Sequence, residues 1–268
     1  MINKLTLQNF CVSYGTKSVI DAMNGEFFVG AVNLVVGRAG SGKSSLLLAM
    51  AGFHKEFSGS IATDGDKFIP DGNFSLTFQN PESLFFNPTV GDEIEFSLRM
   101  LNFPDSQIRG EAENWLRRWG LEPDLYYHRH PFELSGGEKR RVALAACTVA
   151  RMPLILLDEP LAGLDGSGQK SLASILESLA REHIVVVVTH EPEIFLTPTS
   201  NILFLREGQG SWFNGNDFLR QALTDNLFYP LPEWYYTAVR PYKNEPFLPV
   251  INAVEVGKFL QKAGQPCS

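Results

Sequence analysis

One octapeptide, Gly37-Arg38-Ala39-Gly40-Ser41-Gly42-Lys43-Ser44, constrains the fold of this chain more than any other stretch. Its spacing is G-x-x-x-x-G-K-[ST], that of a glycine-rich loop whose backbone N–H groups cradle phosphates. The flanks agree with that reading. Residues 31–36 form a short apolar run that reads as a buried strand, and residues 45–51 read as the start of a helix. A turn between strand and helix aims successive N–H groups and the positive helix end at one point, which suits phosphate oxygens. The glycines keep side chains out of the way. Gly37 to Ser44, with Ser45 just inside the helix, are therefore the expected nucleotide-binding set. Lys43 is expected to reach the β- and γ-phosphates, and the Ser44 hydroxyl to ligate Mg²⁺. The plainer alternative is a glycine-rich turn with no ligand. With Gly near 7% of average composition, a chance match in a chain this long is on the order of 1%.

The bulk properties narrow the class. The chain has 268 residues, 44% hydrophobic and 20% charged, which is enough to bury a substantial core in one large domain or a core with a small appendage. Its net charge of −7 and the lack of a dense Lys/Arg run argue against a nucleic-acid partner. Cys11, Cys147 and Cys267 are odd in number, far apart and without metal-ligand spacing, so a disulfide framework is not expected and a reducing cytosol fits. Residues 1–7 alternate like a strand and lack an apolar signal core. The longest apolar runs, 154–157 and 184–188, fall far short of the roughly 20 residues of a membrane span. Any membrane-spanning part is expected to come from another chain.

Residues 1 to about 30 read as short strands, with turns at Tyr14-Gly15-Thr16 and Met23-Asn24-Gly25. A strand-rich patch covers 59–66, and residues 74–78 are a strand ending at Gln79. From 81 to 131 the character becomes helical, with helices expected over 90–101 and 106–119. Trp115 and Trp119 sit four apart on one face and read as core. His128 and His130 lie in a loop with no third ligand at metal spacing. A helix is expected from Ser135 to about Met152, then a buried strand at 154–157 ending in Asp158 and Glu159. Another helix spans 167–181, followed by an apolar strand at 184–188 and His190, and then two short strands at 202–206 and 210–214. Continuous apolar strands alternating with helices imply an α/β fold with a mostly parallel sheet covered on both faces. The tail from about Asp217 is rich in proline and aromatics, with a short helix at 253–261, and reads as a docked appendage too aromatic to stay solvated.

Two further clusters carry chemistry. Acids at the C-terminal end of a strand lie where α/β sheets place ligands. Asp158 is positioned to share Mg²⁺ with Ser44, and Glu159 to orient or deprotonate a water. Leu134-Ser135-Gly136-Gly137-Glu138 opens a helix and makes a second anion site from N–H groups and a hydroxyl, or else an ordinary Ser cap.

The order of these pieces, with Arg140 and Arg141 on the intervening helix, resembles the ATP-binding cassette (ABC) ATPases over residues 5 to about 214. The resemblance implies a P-loop NTPase (RecA-like) core with an antiparallel β subdomain, a helical subdomain insert at about 80–133 and a small C-terminal appendage. It places the ATPase domain at 1–216 and a dimerising appendage at 217–268. It implies that Tyr14 stacks on adenine, that Gln79 contacts Mg²⁺ and reports nucleotide state, that His190 is the switch histidine, and that Leu164-Asp165 is the D-loop. ATP and Mg²⁺ are the implied ligands, with Lys43, Gln79, Glu159 and His190 at the reaction and Ser44, Gln79 and Asp158 at the metal. Two cassettes would bind head to tail, Ser135, Gly136, Gly137 and Glu138 of one completing the γ-phosphate site of the other.

Gln79-Asn80-Pro81-Glu82 followed by residues 88–96 is similar to the ATPases of energy-coupling factor (ECF) importers of vitamins or transition-metal ions. That branch implies a second ATPase, identical or a similar paralogue, a transmembrane coupling protein and a substrate-binding membrane subunit. It also implies a peripheral place on the cytoplasmic face of the membrane. Glu138 stands where Gln is commoner, and the segment 83–86 lacks the polar residue that group carries before its Phe. Phe85 and Phe86 either line a groove for a partner's coupling helix or belong to the core of the insert. Two other functions compete: a soluble ABC-type ATPase acting on DNA or ribosomes, and a P-loop small-molecule kinase. The first lacks its usual coiled coil or second cassette here, and the second has no use for the 134–138 motif.

Overall fold

The computed structural model describes residues 2–67, 73–225 and 228–263; Met1, Cys267 and the other residues outside those ranges are not described. The chain begins with β1 (Lys4–Tyr14) and β2 (Lys17–Phe28), followed by β3 (Asn33–Gly37) and α1 (Lys43–Met50). Strands β4 (Phe57–Thr63), β5 (Asp66–Lys67) and β6 (Phe74–Thr77) precede four helices: α2 (Val90–Met100), α3 (Asp105–Arg118), α4 (Pro123–Tyr126) and α5 (Gly136–Thr148). Then come β7 (Leu154–Asp158), α6 (Gly166–Ala180), β8 (Ile184–Val188), β9 (Asn201–Arg206) and β10 (Gln209–Asn214). Helices α7 (Gly215–Thr224), α8 (Glu233–Val239) and α9 (Ala253–Ala263) follow.

Two sheets organise these elements. One is antiparallel, in the order β2-β1-β4-β5; the other runs β10-β9-β3-β8-β7-β6, parallel except for β10. The central strands β3, β8 and β7 are apolar except for Asn33 and Asp158 at their ends, because both of their faces are buried. Val35, Leu154, Leu156, Ile184 and Val186 face a core shared with α1 and the antiparallel sheet. Leu34, Ile155, Leu157, Val185 and Val187 face a second core built by the helices.

The first hairpin departs from expectation. Tyr14-Gly15-Thr16 does end β1, but β2 runs straight through Met23-Asn24-Gly25. Gly25 is there for close approach rather than for a turn. The Trp212 indole lies over it, so that a Cβ at Gly25 would sit 2.0 Å from the ring, and Trp212 Nε1 donates to the Asn24 carbonyl at 2.7 Å. Gly25→Ala should therefore destabilise the fold by about 2 kcal/mol, measured by denaturant unfolding, since the ring cannot move without losing that bond. Unchanged stability would show that the indole relocates freely.

Helices α2 and α3 fall within one residue of the expected 90–101 and 106–119. Thr89 caps α2, accepting from Asp92 N at 3.1 Å. Trp115 and Trp119 are both buried, and Trp115 Nε1 donates to Thr148 Oγ1 at 3.2 Å. The 123–131 segment expected as loop contains the short helix α4. Helix α5 stops at Thr148, four residues before the expected end, where Arg151 takes φ 49° ahead of Pro153.

The tail holds more helix than expected. Helices α7 and α8 were hidden by the prolines and aromatics around them. The expected boundary after residue 216 falls inside α7, whose Phe218, Leu219, Ala222 and Leu223 join the same core as the sheet. Phe228 stacks at 4.2 Å on Phe204 of β9.

Candidate functional site

The phosphate loop is shaped by β3 and α1. Gly42 precedes α1 with φ 101°, and a Cβ at Gly37 would meet the Leu205 carbonyl oxygen at 2.3 Å, so both positions demand glycine. Lys43 is buried and folds back on its own loop, its Nζ donating to Gly37 O at 2.9 Å and to Arg38 O at 3.0 Å. Burial lowers the pKa of this ammonium, while the carboxylates of Glu159 and Asp158 pull it back up. Ser41 Oγ is buried in the loop and bonds no described residue.

An open cleft of about 430 Å³ runs along the loop, lined by Tyr14, Lys17, Val19, Gly40, Gly42, Lys43, Ser44 and Ser45. Tyr14 stands at its edge, 47% exposed, with the His54 ring packed 4.2 Å behind it and its hydroxyl 3.4 Å from Ser45 Oγ. His54 is itself fixed, its Nε2 lying 2.6 Å from the Ser13 carbonyl. A planar base has one tyrosine face to stack on. Tyr14→Ala should raise the dissociation constant for ATP about tenfold, by isothermal calorimetry, because one aromatic–base stack is lost. An unchanged constant would place the base elsewhere.

At the end of β7, Ser44 Oγ donates to Asp158 Oδ2 at 2.6 Å. Two hard oxygen donors meeting at the mouth of a phosphate loop fit Mg²⁺. Glu159 follows with φ 49°, a left-handed conformation that is strained for a non-glycine residue and that recurs at functional sites. Its Oε2 accepts from His190 N at 3.2 Å, and His190 Nε2 approaches Oε1 at 3.2 Å. That second approach is poorly aligned, so Oε1 stays buried without a hydrogen bond from any described residue. Burial raises the pKa of the Glu159 carboxyl above the ordinary carboxylate value, and His190 opposes the rise. The sheet thus brings Lys43, Ser44, Asp158, Glu159 and His190 together from the ends of three neighbouring parallel strands.

Gln79 lies two residues beyond the end of β6, its side chain at the surface. Its carbonyl oxygen is gripped by Arg140, a residue the sequence marked only as part of a helix. Arg140 is 3% exposed, and its guanidinium also donates to the carbonyls of Glu159 and Pro160 and to Glu82 Oε2. One buried cation therefore ties the segment carrying Gln79 to the segment carrying Glu159. A dibasic pair in a helix sequence carries no sign of which arginine turns inward.

Ser135 caps α5 in a reciprocal capping box. Glu138 Oε2 accepts from Ser135 N at 2.8 Å, Ser135 Oγ from Glu138 N at 3.4 Å, and Tyr126 donates to Glu138 Oε1 at 2.7 Å. The Tyr126 and Ser135 hydrogen bonds hold the Glu138 carboxyl at about 2. Ser135 and Gly136 are exposed, and Gly137 packs beside Leu164. Asp165 caps α6, its Oδ1 accepting from Gly168 N at 2.7 Å.

Phe85 and Phe86 differ in burial. Phe85 packs on the helical core, 6.1 Å from Phe132, whereas Phe86 is 65% exposed and meets Phe96 edge-on at 4.8 Å. Cys147 is intermediate in exposure, its Sγ donating to Leu76 O at 3.4 Å; Cys11 is free. Among the described residues no helix is long and apolar enough to cross a membrane.

The family model for ABC transporters matches residues 20–162. The energy-coupling factor transporter ATP-binding protein EcfA1 of Thermotoga maritima is 35% identical over 230 residues, 83% of this chain and 86% of that protein. A spermidine/putrescine import ATP-binding protein, PotA of Marinobacter nauticus, is 34% identical over 87% of this chain and 61% of that protein. In fold, the chain is similar to CbiO1 of Clostridium perfringens, described as part of the ABC transporter complex cbiONQ. The TM-score is 0.72 at 24% identity, covering 87% of this chain and 98% of that one. These matches and the geometry above lead to one conclusion: the chain belongs to the ABC transporter family, as an ATP-binding subunit that hydrolyses ATP in step with transport.

Proposed function

We propose that this subunit energises an importer of the energy-coupling factor type, carrying a vitamin or a transition-metal ion, from the cytoplasmic face of the cell membrane. It would work with a second ATPase, a transmembrane coupling protein and a substrate-binding membrane subunit. The similarity to EcfA1 and the 79–96 segment support the branch. The observation that carries the mechanism is the exposed Ser135-Gly136-Gly137 turn at the start of α5, which does not line the chain's own nucleotide cleft. A helix start offers N–H groups and a positive dipole end to an anion, and one that lies outside the chain's own cleft is half of a site. The other half is the P-loop of a second cassette facing it head to tail.

In this reading Lys43 exchanges the Gly37 and Arg38 carbonyls for the β- and γ-phosphates. Tyr14, backed by His54, orients the base. Ser44, Asp158 and Gln79 would hold Mg²⁺, which when bound neutralises phosphate charge. Glu159 orients the attacking water through its carboxylate and takes its proton, and His190 fixes Glu159 and adds donors beside the γ-phosphate. ATP favours the closed pair because only the closed pair offers both halves, and hydrolysis removes that preference. Asp165 lies next to the Ser135 turn of its own chain through Leu164 and Gly137, at the edge where the two cassettes would meet. Exposed Phe86 and Phe96 offer a surface to the coupling protein.

The test is purification of the assembly from its native membrane with every subunit identified, combined with uptake of labelled vitamin, cobalt, nickel or polyamine. Two integral membrane proteins together with two cassettes, and vitamin or metal uptake, support the reading. Polyamine uptake would favour the PotA-like alternative, and co-purifying ribosomes or DNA without membrane subunits would overturn it.

A further inference from the structure

Among the described residues, the tail reaches the His190 main chain through Tyr229. Tyr229, in the segment between α7 and α8, is 9% exposed, with its ring packed 5.3 Å from Phe218. Its hydroxyl lies 3.2 Å from the His190 carbonyl oxygen and 2.9 Å from Glu193 Oε1. Burial and the Glu193 carboxylate raise the pKa of this phenol, so the group stays a donor, its one proton shared between the Glu193 carboxylate and the His190 carbonyl. On the opposite side the same residue is gripped by Glu159, whose carboxylate takes the His190 N–H and faces the imidazole. The two peptide planes that flank the His190 Cα are therefore held from opposite sides, the 189–190 plane by the candidate base at the N–H and the 190–191 plane by one tyrosine hydroxyl from the tail at the C=O. Gln169 steadies the next residue, donating to Glu191 Oε2 at 2.9 Å. Fixing both planes around a Cα fixes the direction of its Cα–Cβ bond, here that of the imidazole.

We propose that Tyr229 is a positioning residue for ATP hydrolysis, holding the His190 main chain so that its N–H and imidazole keep Glu159 in register, and thereby linking the C-terminal segment to the turnover rate. This rests on the roles given above to His190 and Glu159. Tyr229 lies outside the nucleotide cleft, so the link acts on the chemical step and leaves ATP affinity alone.

The experiment measures single-turnover hydrolysis and ATP affinity for the wild type, Tyr229→Phe, His190→Ala and the double variant, each in the purified assembly. Tyr229→Phe keeps the ring and removes one oxygen. It should lower the hydrolysis rate about fivefold, with ATP affinity within about twofold of wild type. In the His190→Ala background the same change should cause no further loss, because the group being positioned is gone. Wild-type rates for Tyr229→Phe beside a slow His190→Ala overturn the proposal while leaving the site reading intact. Equal losses in both backgrounds overturn it too, showing that Tyr229 acts independently of His190. A weakened ATP affinity at an unchanged rate places Tyr229 in binding and likewise overturns it. A wild-type rate for His190→Ala removes the reading beneath it, a result distinct from the other three. Binding of a fluorescent ATP analogue by Tyr229→Phe at wild-type affinity checks that the variant is folded.

Discussion

Glu159→Gln should slow ATP hydrolysis at least 100-fold and leave ATP-bound cassette pairs standing. The substitution preserves shape, and Gln can still accept the His190 N–H through its amide oxygen. What it loses is the basic oxygen. In the native chain the carboxylate is held on a strained backbone beside the His190 imidazole, 3.2 Å from Nε2, an arrangement that positions a base. General-base assistance is worth about 10²- to 10⁴-fold, and the neutral amide forfeits it. Binding determinants are untouched, since Lys43, Ser44 and Tyr14 remain in place. Single-turnover hydrolysis and light scattering with and without Mg²⁺-ATP read both parts of the prediction. Turnover near the wild-type rate would show that another group handles the water.

Ser135→Arg should also stop hydrolysis, by about 100-fold or more, yet leave ATP binding to a single copy within about twofold of wild type. Ser135 caps α5 from just before its first residue, at the surface, where the helix dipole and N–H groups favour an anion. A long guanidinium there fills the space the phosphate would enter and removes the capping hydroxyl. The chain's own cleft is lined by other residues, so its own P-loop should not register the change. The dissociation between lost turnover and kept binding is the signature of a site completed in trans. Loss of ATP binding by isolated copies would mean that Ser135 acts within its own chain.

What could be read from the residues alone was whatever local pattern determines. The 37–44 loop, the all-apolar strands β7 and β8 and the capped start of α5 are local facts: glycine positions, continuous burial on two faces, a Ser three residues before a Glu. The turn expected at Met23-Asn24-Gly25 does not form, because a glycine beneath an indole and a glycine in a turn look the same until Trp212, distant in sequence, is placed. Helices α7 and α8 lay in a proline- and aromatic-rich tail whose residues belong to the main core, a tertiary preference stronger than local propensity. Arg140, His54 and Tyr229 were not legible as site residues. Each acts on backbone or rings far away in sequence, and nothing in its own neighbourhood shows which way it points. Phe85 and Phe86, adjacent and chemically identical, part ways because the backbone hands one to the core and the other to solvent.

If one copy holds only half of each nucleotide site, the specific ATPase activity of the purified cassette depends on its own concentration, which is measured with the mass of the species followed by light scattering. Activity per chain should fall toward zero on dilution, in step with loss of the paired species. Full activity per chain at dilutions where only single copies remain would contradict it.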